Sequence, residues 1–468
     1  MVFKLNKISI SGKEVLPIIE GGKGINISTG LTAGSFAKAG AVGTISGTNP
    51  DFYDENGNYI PYSYDAKSTR KERHESLVKQ SINGCIAQAK IAHDVSAGNG
   101  RIHFNFLWEA GGTKRIMEEA LIKTKGLING VTAGAGLPYT LSEIAGKHNI
   151  HYYPIVSSSR AFAILWKRSY NKTAHLLGGV VYEDPWLAGG HNGLSNAEDS
   201  KVRQDPYLRL VEIRKILNSL NLQQVPIIIA GGVWNLTQWA NYINNPELGL
   251  VAFQFGTRPL LTIESPLSDI WKKKLPTLKE GDVSLNKFSP TGFYSSAASN
   301  KFLQDLYARS ARQMPAQRKT DEIFTREVVS SNGVTKFAIK EEDFARAEGY
   351  IAEGFDTLLK TPDDTIVFEK EDVAETIRED QQNCMGCLSA CKFSSWCEHN
   401  DKGATGLLPD PRSFCIEKTL QDVGHGGSID NNLLFSGHNA FNFGTDPLYK
   451  NGYIPTIGEL VEKIKIGE

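Results

Sequence analysis

One histidine stands in a glycine-rich turn, Ala-Gly-Gly-His-Asn-Gly, at residues 188–193. The turn follows the apolar run 180–182, which the sequence predicts to be the end of a buried strand. An imidazole can take or give a proton near neutral pH, so His191 is the candidate catalytic acid or base. The flanking glycines predict a flexible backbone that presents this ring. His103 lies inside another predicted strand and is interpreted as structural.

Two further segments could bind a phosphate group. The apolar run 225–230 ends in a Gly-Gly pair at 231–232, and a helical pattern follows it. Glycines at such a point let backbone N–H groups approach an anion without a Cβ in the way. The next predicted strand ends with a glycine, a hydroxyl and a cation, at Gly256, Thr257 and Arg258. Together the two segments predict a phosphate site.

Five of the six cysteines lie close together near the C-terminus, whereas Cys85 lies on the apolar side of a predicted helix and is expected in the core. Such density is typical of a metal centre and not of structural disulfides. The candidate ligands are Cys384, Cys387, Cys391, Cys397 and Cys415. Their spacing is similar to the [4Fe–4S] motif of the old-yellow-enzyme-like dienoyl-CoA reductases. Either Cys397 or Cys415 could be the fourth ligand, and a zinc site is the alternative.

The elements that must position these residues are eight short apolar runs, most of them separated by helical patterns. They span residues 16–22, 41–47, 101–108, 126–136, 151–158, 176–183, 225–233 and 250–257. Several are apolar on successive residues, as parallel strands buried on both faces require. Eight such units predict an α/β fold, a (β/α)8 TIM barrel of roughly 250 residues, with its site at the carboxyl ends of the strands.

The regular alternation stops after the eighth run. We therefore expect a barrel over residues 1–265 and an appended, mostly helical or irregular region over residues 266–468, which carries the cysteines. Long loops at 48–71 and 192–205 would lie on the catalytic face and are candidate lids. The Gly-His-Asn turn at 437–439 is interpreted as an ordinary helix cap.

The overall composition argues against several kinds of partner. With 51 basic and 52 acidic residues the net charge is -1, which does not favour binding to nucleic acid. Neither a signal-peptide pattern nor a long apolar stretch is evident, so we expect a cytoplasmic protein without membrane contacts. The expected partners are a small-molecule substrate and an electron donor, and a homodimer is compatible with the sequence.

The order and spacing of these motifs resemble those of the nitronate monooxygenase family, formerly called 2-nitropropane dioxygenases, over about residues 16–265. The flavin-dependent enoyl-acyl-carrier-protein reductases are relatives with the same barrel. The motifs that carry the resemblance are Gly21-Gly22, Gly40-x-x-Gly43, Asn105, Gly134-x-Gly136-x-Pro138, the turn at 188–193, Ala230-Gly231-Gly232 and Gln254-x-Gly256-Thr257-Arg258.

This resemblance implies an FMN-dependent oxidoreductase that binds its flavin without a covalent bond, with His191 on the substrate side. The residues that would bind FMN are Gly22, Asn105, Glu183, Gly189, Gly190, Gly231, Gly232, Gln254, Gly256 and Thr257. Glu183 lies where the family usually has a glutamine, and an acidic side chain there would disfavour an anionic reduced ring. NAD(P)H could reach the flavin directly, without a separate nicotinamide-binding fold.

The cysteines distinguish this chain from the usual members of that family. A one-electron centre near the flavin indicates electrons that arrive or leave singly, which favours a reductase or electron-transfer variant. The alternatives are a nitronate monooxygenase that consumes oxygen, an enoyl-thioester reductase and a flavin-dependent RNA-modifying enzyme.

Overall fold

Eight parallel strands form a closed barrel in the computed structural model, which describes residues 5–65 and 67–468. Neighbouring strands pair in sequence order, and the eighth pairs with the first. We number them β1 to β8: Ile18–Glu20, Val42–Ser46, Arg101–Leu107, Gly130–Gly134, His151–Val156, Val180–Glu183, Ile227–Ala230 and Val251–Phe255. Each strand lies within one of the eight predicted runs, so the predicted TIM barrel is confirmed.

Burial on both faces explains why the strands are apolar on successive residues. In β7, the Ile228 side chain belongs to the cluster inside the barrel, together with Val181 and Ala252. Its neighbours Ile227 and Ile229 belong to the cluster between the strands and the outer helices. Side chains alternate between the two faces of a strand, so a sheet covered on both sides needs apolar residues at every position.

The helices between the strands form the outer layer of the barrel. They are α1 to α6: Gly30–Lys38, Arg70–Ser96, Thr113–Lys123, Leu141–His148, Ser159–Arg168 and Pro206–Ser219, with 3-10 segments at Tyr170–Leu176 and Thr237–Tyr242. Thr69 begins α2 with a capping box to Glu72, which satisfies backbone donors that the helix leaves free. Cys85 in α2 is fully buried, as expected. No helix within 5–65 or 67–468 is long and apolar enough to cross a membrane.

A short hairpin closes the amino-terminal end of the barrel. Its strands are Ile8–Ile10 and Lys13–Val15. The Ser11 hydroxyl at its turn lies 3.0 Å from Nε2 of His103 and 2.7 Å from the Tyr153 hydroxyl. Burial lowers the pKa of His103 to about 3, so this imidazole is neutral. His103 therefore packs at the end of the barrel away from the strand carboxyl ends, in keeping with a structural role.

The region after β8 is built from short elements. Its first helices are α7 to α11: Asp269–Lys274, Lys301–Ala311, Glu341–Ala352, Glu371–Gln382 and Ile416–Gln421, with 3-10 segments at Arg258–Leu260, Leu275–Thr277, His438–Gly444 and Pro447–Gly452. Antiparallel pairs form between Val283–Asn286 and Ser295–Ala298, Gln313–Pro315 and Thr365–Glu369, Thr357–Lys360 and Thr365–Glu369, Arg326–Val329 and Lys336–Ile339, and Ala390–Cys391 and Trp396–Cys397. The sequence predicted helical or irregular structure here, because strands this short do not develop a readable alternation.

The last helix, α12 (Ile457–Lys465), returns to the barrel. Its apolar residues have helical spacing and are fully buried in the cluster that joins the barrel to its helices: Ile457, Leu460, Val461 and Ile464. The helix packs against α1, and the carbonyl of Gly467 accepts a hydrogen bond of 3.0 Å from Thr237 N. Thus α12 occupies the place of the helix that normally follows the eighth strand of a barrel.

Candidate active site

One cavity opens at the carboxyl ends of the barrel strands. It is lined by His191 and by all ten residues that the sequence assigned to flavin binding: Gly22, Asn105, Glu183, Gly189, Gly190, Gly231, Gly232, Gln254, Gly256 and Thr257. In a parallel barrel every strand ends at the same rim, so residues far apart in the sequence meet there. The structure brings the predicted site residues together, and their individual roles stay predictions.

The ends of β7 and β8 leave room for an anion. Gly231 and Gly232 have left-handed backbone conformations, with φ of 84° and 77°. These conformations favour glycine, and a Cβ at Gly232 would also lie 2.4 Å from the Leu187 side chain. A Cβ at Gly256 would meet no atom within 4 Å, because this position faces open space. This geometry fits the predicted phosphate site.

Arg258 does not supply the cation that the sequence predicted for this site. Its side chain is 1% exposed, and its Nη2 atom lies 2.8 Å from Oδ2 of Asp446. The Nη1 atom donates to the carbonyls of Trp234 and Glu468, both at 2.8 Å. The prediction is corrected: a buried charge requires a paired partner, and Arg258 finds it in the C-terminal region and not in the cavity.

His191 is held in place by strand pairing. Gly190–His191 forms a two-residue strand that pairs antiparallel with Ser295 and Ser296, so the backbone is not flexible as predicted. Nε2 of His191 lies 2.6 Å from Oγ of Ser289. Burial lowers the pKa of His191 to about 4. The imidazole is therefore neutral near neutral pH, which suits it to accept a proton more than to give one.

Glu183 lies at the end of β6 and lines the cavity. Burial, reinforced by the charge of the neighbouring Asp184, raises the pKa of the Glu183 carboxyl to about 8. A neutral carboxyl can donate a hydrogen bond, much as the amide of a glutamine does. The effect of Glu183 on a reduced flavin ring stays a prediction.

The C-terminal region forms a wall of the cavity that the sequence did not reveal. Among its residues that line the cavity is a segment beside the histidine turn, with Phe435, Ser436, Gly437 and Asn439. Gly437 precedes the 3-10 segment His438–Gly444, as the cap interpretation expected, and its N–H also donates to Oγ1 of Thr257 at 2.8 Å. A Cβ at Gly189 would lie 2.5 Å from the carbonyl carbon of Ser436, so the glycine of the histidine turn permits this close approach.

The wall also presents polar atoms without partners. Oγ of Ser436 and Oδ1 of Asn439 are buried and make no hydrogen bond within the protein. Buried polar atoms are normally paired, so these two indicate a bound polar group. The ribityl hydroxyls of FMN could pair with both atoms. Together with the space at Gly256, they show that the residues present fit FMN.

Glu417, at the start of α11, is a further cavity residue that no sequence signal indicated. Its side chain is 3% exposed and accepts a hydrogen bond of 2.6 Å from Nδ2 of Asn49. Burial raises the pKa of Glu417 to about 7. This hydrogen bond places the carboxyl beside the carboxyl end of β2, which is four strands away in the barrel from β6 and the histidine turn.

The loop at 48–71 is anchored to the C-terminal region. The ring of Tyr59 stacks on His425 with centroids 4.5 Å apart, and Nε2 of His425 lies 3.1 Å from Oδ1 of Asp51. Thr48 and Asn49 line the cavity. The start of this loop thus contributes to the cavity, whereas the loop at 192–205 contributes none of the cavity residues that the structure describes. The lid role of both loops stays a prediction.

The predicted metal ligands divide into two sets. Cys384, Cys387 and Cys391 are buried in one cluster against which Cys415 packs, whereas Cys397 does not belong to that cluster. Cys387 also lines the cavity. In the part of the chain that is described, no three His, Cys, Asp or Glu side chains are arranged to hold a single metal ion.

Comparison with known proteins bears on the class of this site. The family model for nitronate monooxygenase matches residues 150–351, which is less than half of the chain. The match begins just before β5 and extends into α9, beyond the stretch that the motifs had indicated. No curated protein matches the chain.

The chain is similar to a number of solved structures, three of which are as follows. The enoyl reductase domain of MlnA from Bacillus amyloliquefaciens is 12% identical with a TM-score of 0.50, and the alignment covers 96% of this chain and 93% of that one. FabK from Thermotoga maritima is 13% identical with a TM-score of 0.48, over 96% and 91% of the two chains. A nitroalkane oxidase from Streptomyces ansochromogenes is 13% identical with a TM-score of 0.43, over 62% and 79%. At such identities the likeness concerns the fold alone.

The barrel, the cavity and the family match together define the class of this protein. It is an FMN-dependent oxidoreductase. The resemblance that the sequence indicated is confirmed, because the chain is nitronate monooxygenase-like over the matched residues.

Proposed function

We propose that this protein is a reductase or electron-transfer variant of the nitronate monooxygenase-like enzymes, with an iron–sulfur cluster beside its flavin. The observation that carries the proposal is Cys387, which belongs to a buried group of cysteines and also lines the flavin cavity. Thiolates grouped in this way are the ligands of iron–sulfur clusters. A one-electron centre next to a flavin serves electron transfer and is not needed for a reaction with oxygen alone.

Bound FMN would supply hydride or electron transfer, and the chain itself would position the reactants. Gly231, Gly232 and Gly256 would hold the phosphate, as the open space at Gly256 supports. Neutral His191, oriented by Ser289, would accept a proton or a hydrogen bond from the substrate. The proton on Glu183 would give the flavin edge a hydrogen-bond donor.

An enoyl-thioester reductase is the second candidate, and the shape of the cavity wall favours it. The C-terminal region contributes apolar side chains to the cavity: Leu388, Ile416, Leu420, Val423, Leu433, Leu434 and Phe435. Apolar walls suit an acyl group better than a small polar nitronate. An enzyme of this kind would consume NAD(P)H together with the unsaturated acyl thioester.

The first experiment is an anaerobic visible spectrum of the purified protein, with analysis of FMN, iron, sulfide and zinc. We expect flavin bands, a broad absorbance that decreases on reduction, and iron with sulfide. A protein with FMN and zinc but no iron would contradict the iron–sulfur part of the proposal, and a colourless protein would contradict all of it.

Turnover assays then distinguish the reactions. Oxidation of NAD(P)H that requires an unsaturated acyl thioester would identify an enoyl-thioester reductase. Oxygen uptake with an alkyl nitronate, in the absence of any reduced nicotinamide, would identify a nitronate monooxygenase and contradict the reductase. Copurified RNA whose binding weakens steeply with salt would instead favour an RNA-modifying enzyme.

A further inference from the structure

The cysteines of the C-terminal region come from three separate segments that meet in one place. Cys384 and Cys387 follow α10, Cys391 ends the strand Ala390–Cys391, and Cys415 immediately precedes α11. All of these thiols are free. The first three lie in one apolar cluster, and Cys415 packs against it. The fold thus brings Cys415 to the other three thiols, although it lies 24 positions after Cys391, the nearest of them in the sequence.

Polar contacts within the group confirm that these thiols are neighbours. The Ser394 hydroxyl donates to Sγ of Cys384 at 3.0 Å and also contacts Cys391. Cys387 lies within electrostatic range of the other three thiols and of Glu417.

Cys397 is directed away from this group by the register of a hairpin. In the pair Ala390–Cys391 and Trp396–Cys397, Cys391 lies opposite Trp396 and Ala390 lies opposite Cys397. Residues opposite each other share a face, and successive residues point to opposite faces. Cys397 therefore lies on the other face of the hairpin from Cys391. The buried ring of Trp396, which is 1% exposed, occupies the face that Cys391 shares.

The group of four thiols lies between the flavin cavity and the protein surface. Cys387 lines the cavity, and its carbonyl accepts a hydrogen bond of 3.0 Å from Gly111 N, which follows β3. Cys415 lines a separate depression on the surface, together with Tyr62, Tyr64 and Lys418. A centre bound here would be reached from the flavin on one side and from solvent on the other.

We propose that four thiolates bind one iron–sulfur cluster: Cys384, Cys387, Cys391 and Cys415. Cys397 is not a ligand. This inference rests on the iron–sulfur part of the proposed function and resolves which cysteine is the fourth ligand. Each thiol loses its proton to solvent as its sulfur–iron bond forms. A single tetrahedral zinc ion, with Zn–S bonds of about 2.3 Å, needs ligand sulfurs about 3.8 Å apart, whereas a four-iron cluster spreads its thiolates more widely.

The test compares single cysteine-to-serine variants of the full chain. Each is purified anaerobically, supplied with ferrous iron and sulfide, and analysed for iron, sulfide, zinc and FMN. We expect Cys397→Ser to match the wild type, with about four irons per chain. We expect C384S, C387S, C391S and C415S each to lose most of the iron. Cys85→Ser is a control for replacing a buried cysteine elsewhere.

Two results would overturn the ligand set. One is loss of iron from Cys397→Ser while Cys415→Ser retains it, and the other is binding of one zinc and no iron in the wild type. FMN, measured in the same samples, tests the proposed function separately. If the iron follows the expected pattern but FMN is absent, the flavin assignment fails and the ligand set stands.

A measurement on the wild type covers the case in which a variant does not fold. Alkylation of the iron-loaded protein, read by mass spectrometry, should modify Cys397 and leave the four ligands protected. Removal of iron with a chelator should then let the reagent modify Cys415, which lines the surface depression, whereas the three buried thiols should react only after the chain is also unfolded in denaturant. Protection of Cys397 together with modification of Cys415 before chelation would contradict the proposal.

Discussion

The imidazole of His191 and the hydroxyl of Ser289 lie 2.6 Å apart, although 98 positions separate them in the chain. Ser289 belongs to the connection between the paired strands Val283–Asn286 and Ser295–Ala298, and the second of these strands also pairs with His191. A segment beyond the eighth barrel strand thus fixes both the backbone and the ring of the candidate catalytic residue.

Replacement of His191 by alanine should lower kcat by about 10²- to 10⁴-fold, which is the usual contribution of a positioned acid or base. FMN content should stay at the wild-type level, because the predicted phosphate site consists of other residues. Ser289→Ala, which removes only the orienting hydrogen bond, should cost about tenfold. His93→Ala, on the exposed side of α2, is the matched control. Unchanged turnover in His191→Ala would contradict the assignment.

The pH profile should reflect the burial of His191. Its pKa is lowered to about 4, so the imidazole does not change its charge between about pH 8 and pH 5. Titration of His191 should therefore leave kcat/KM unchanged over this range and lower it only near pH 4. The fall occurs because protonation removes the acceptor. The measurement is kcat/KM against pH for the wild type. An acid limb near pH 6.5 would mean that the imidazole is solvated like a free histidine.

Gly256→Val should prevent FMN binding without unfolding the protein. The Cβ of the new side chain would have no protein atom within 4 Å. The side chain would therefore occupy the open space in which we expect the phosphate to lie. We expect little or no FMN in the purified variant, with a thermal midpoint equal to that of wild-type apo-protein. Gly349→Val is the control, since a Cβ there also meets no atom within 4 Å but lies on α9. Full FMN occupancy in Gly256→Val would place the phosphate elsewhere.

Glu183 should make the stability of the apo-protein depend on pH. Its pKa is about 8 in the folded protein and 4.5 for an ordinary glutamate, so between these values the unfolded chain has lost a proton that the folded chain keeps. The free energy of unfolding should therefore decrease as pH rises from about 5 to 8. In Glu183→Gln this part of the decrease should disappear. Denaturant titrations at pH 5, 6.5 and 8 give the comparison, and parallel curves for both proteins would contradict the shift.

Asp446→Ala should destabilise the protein by about 3–5 kcal/mol, because it leaves the buried guanidinium of Arg258 without its partner. The same carboxylate accepts a hydrogen bond of 2.8 Å from Nε1 of Trp234. Asp305→Ala, which removes an exposed pair with Lys301, should cost at most about 1 kcal/mol. Equal losses in the two variants would show that Arg258 is solvated and that the contact does not hold the C-terminal region to the barrel.

The barrel and most of its site could be predicted because their signals are local. The run of three isoleucines at 227–229 predicts a strand buried on both faces, without reference to any other segment. The glycine pair at 231–232 likewise predicts a turn from its own residue types alone. Once eight such strands are placed in sequence order, closure brings their carboxyl ends to one rim, and the site residues follow.

The remaining parts of the site depend on contacts between distant segments. Arg258 has the chemistry of a phosphate ligand, yet its guanidinium forms an ion pair with Asp446, which lies 188 positions away in the chain. The Gly-His-Asn turn at 437–439 was the one signal that could have indicated the C-terminal wall, and a helix cap explains the same residues. Glu417 carries no local signal at all.

By itself the sequence determined the closed barrel and the rim at which His191 and the strand-end glycines meet, because periodicity and glycine spacing act over a few residues. Only the tertiary structure decided that residues 433–439 and α11 complete the cavity, that α12 takes the place of the eighth helix, and that Cys415 joins three other thiols while Cys397 faces away. These outcomes depend on which surfaces pack together across the chain. Such packing is a property of the whole fold and leaves no periodic trace in any one segment.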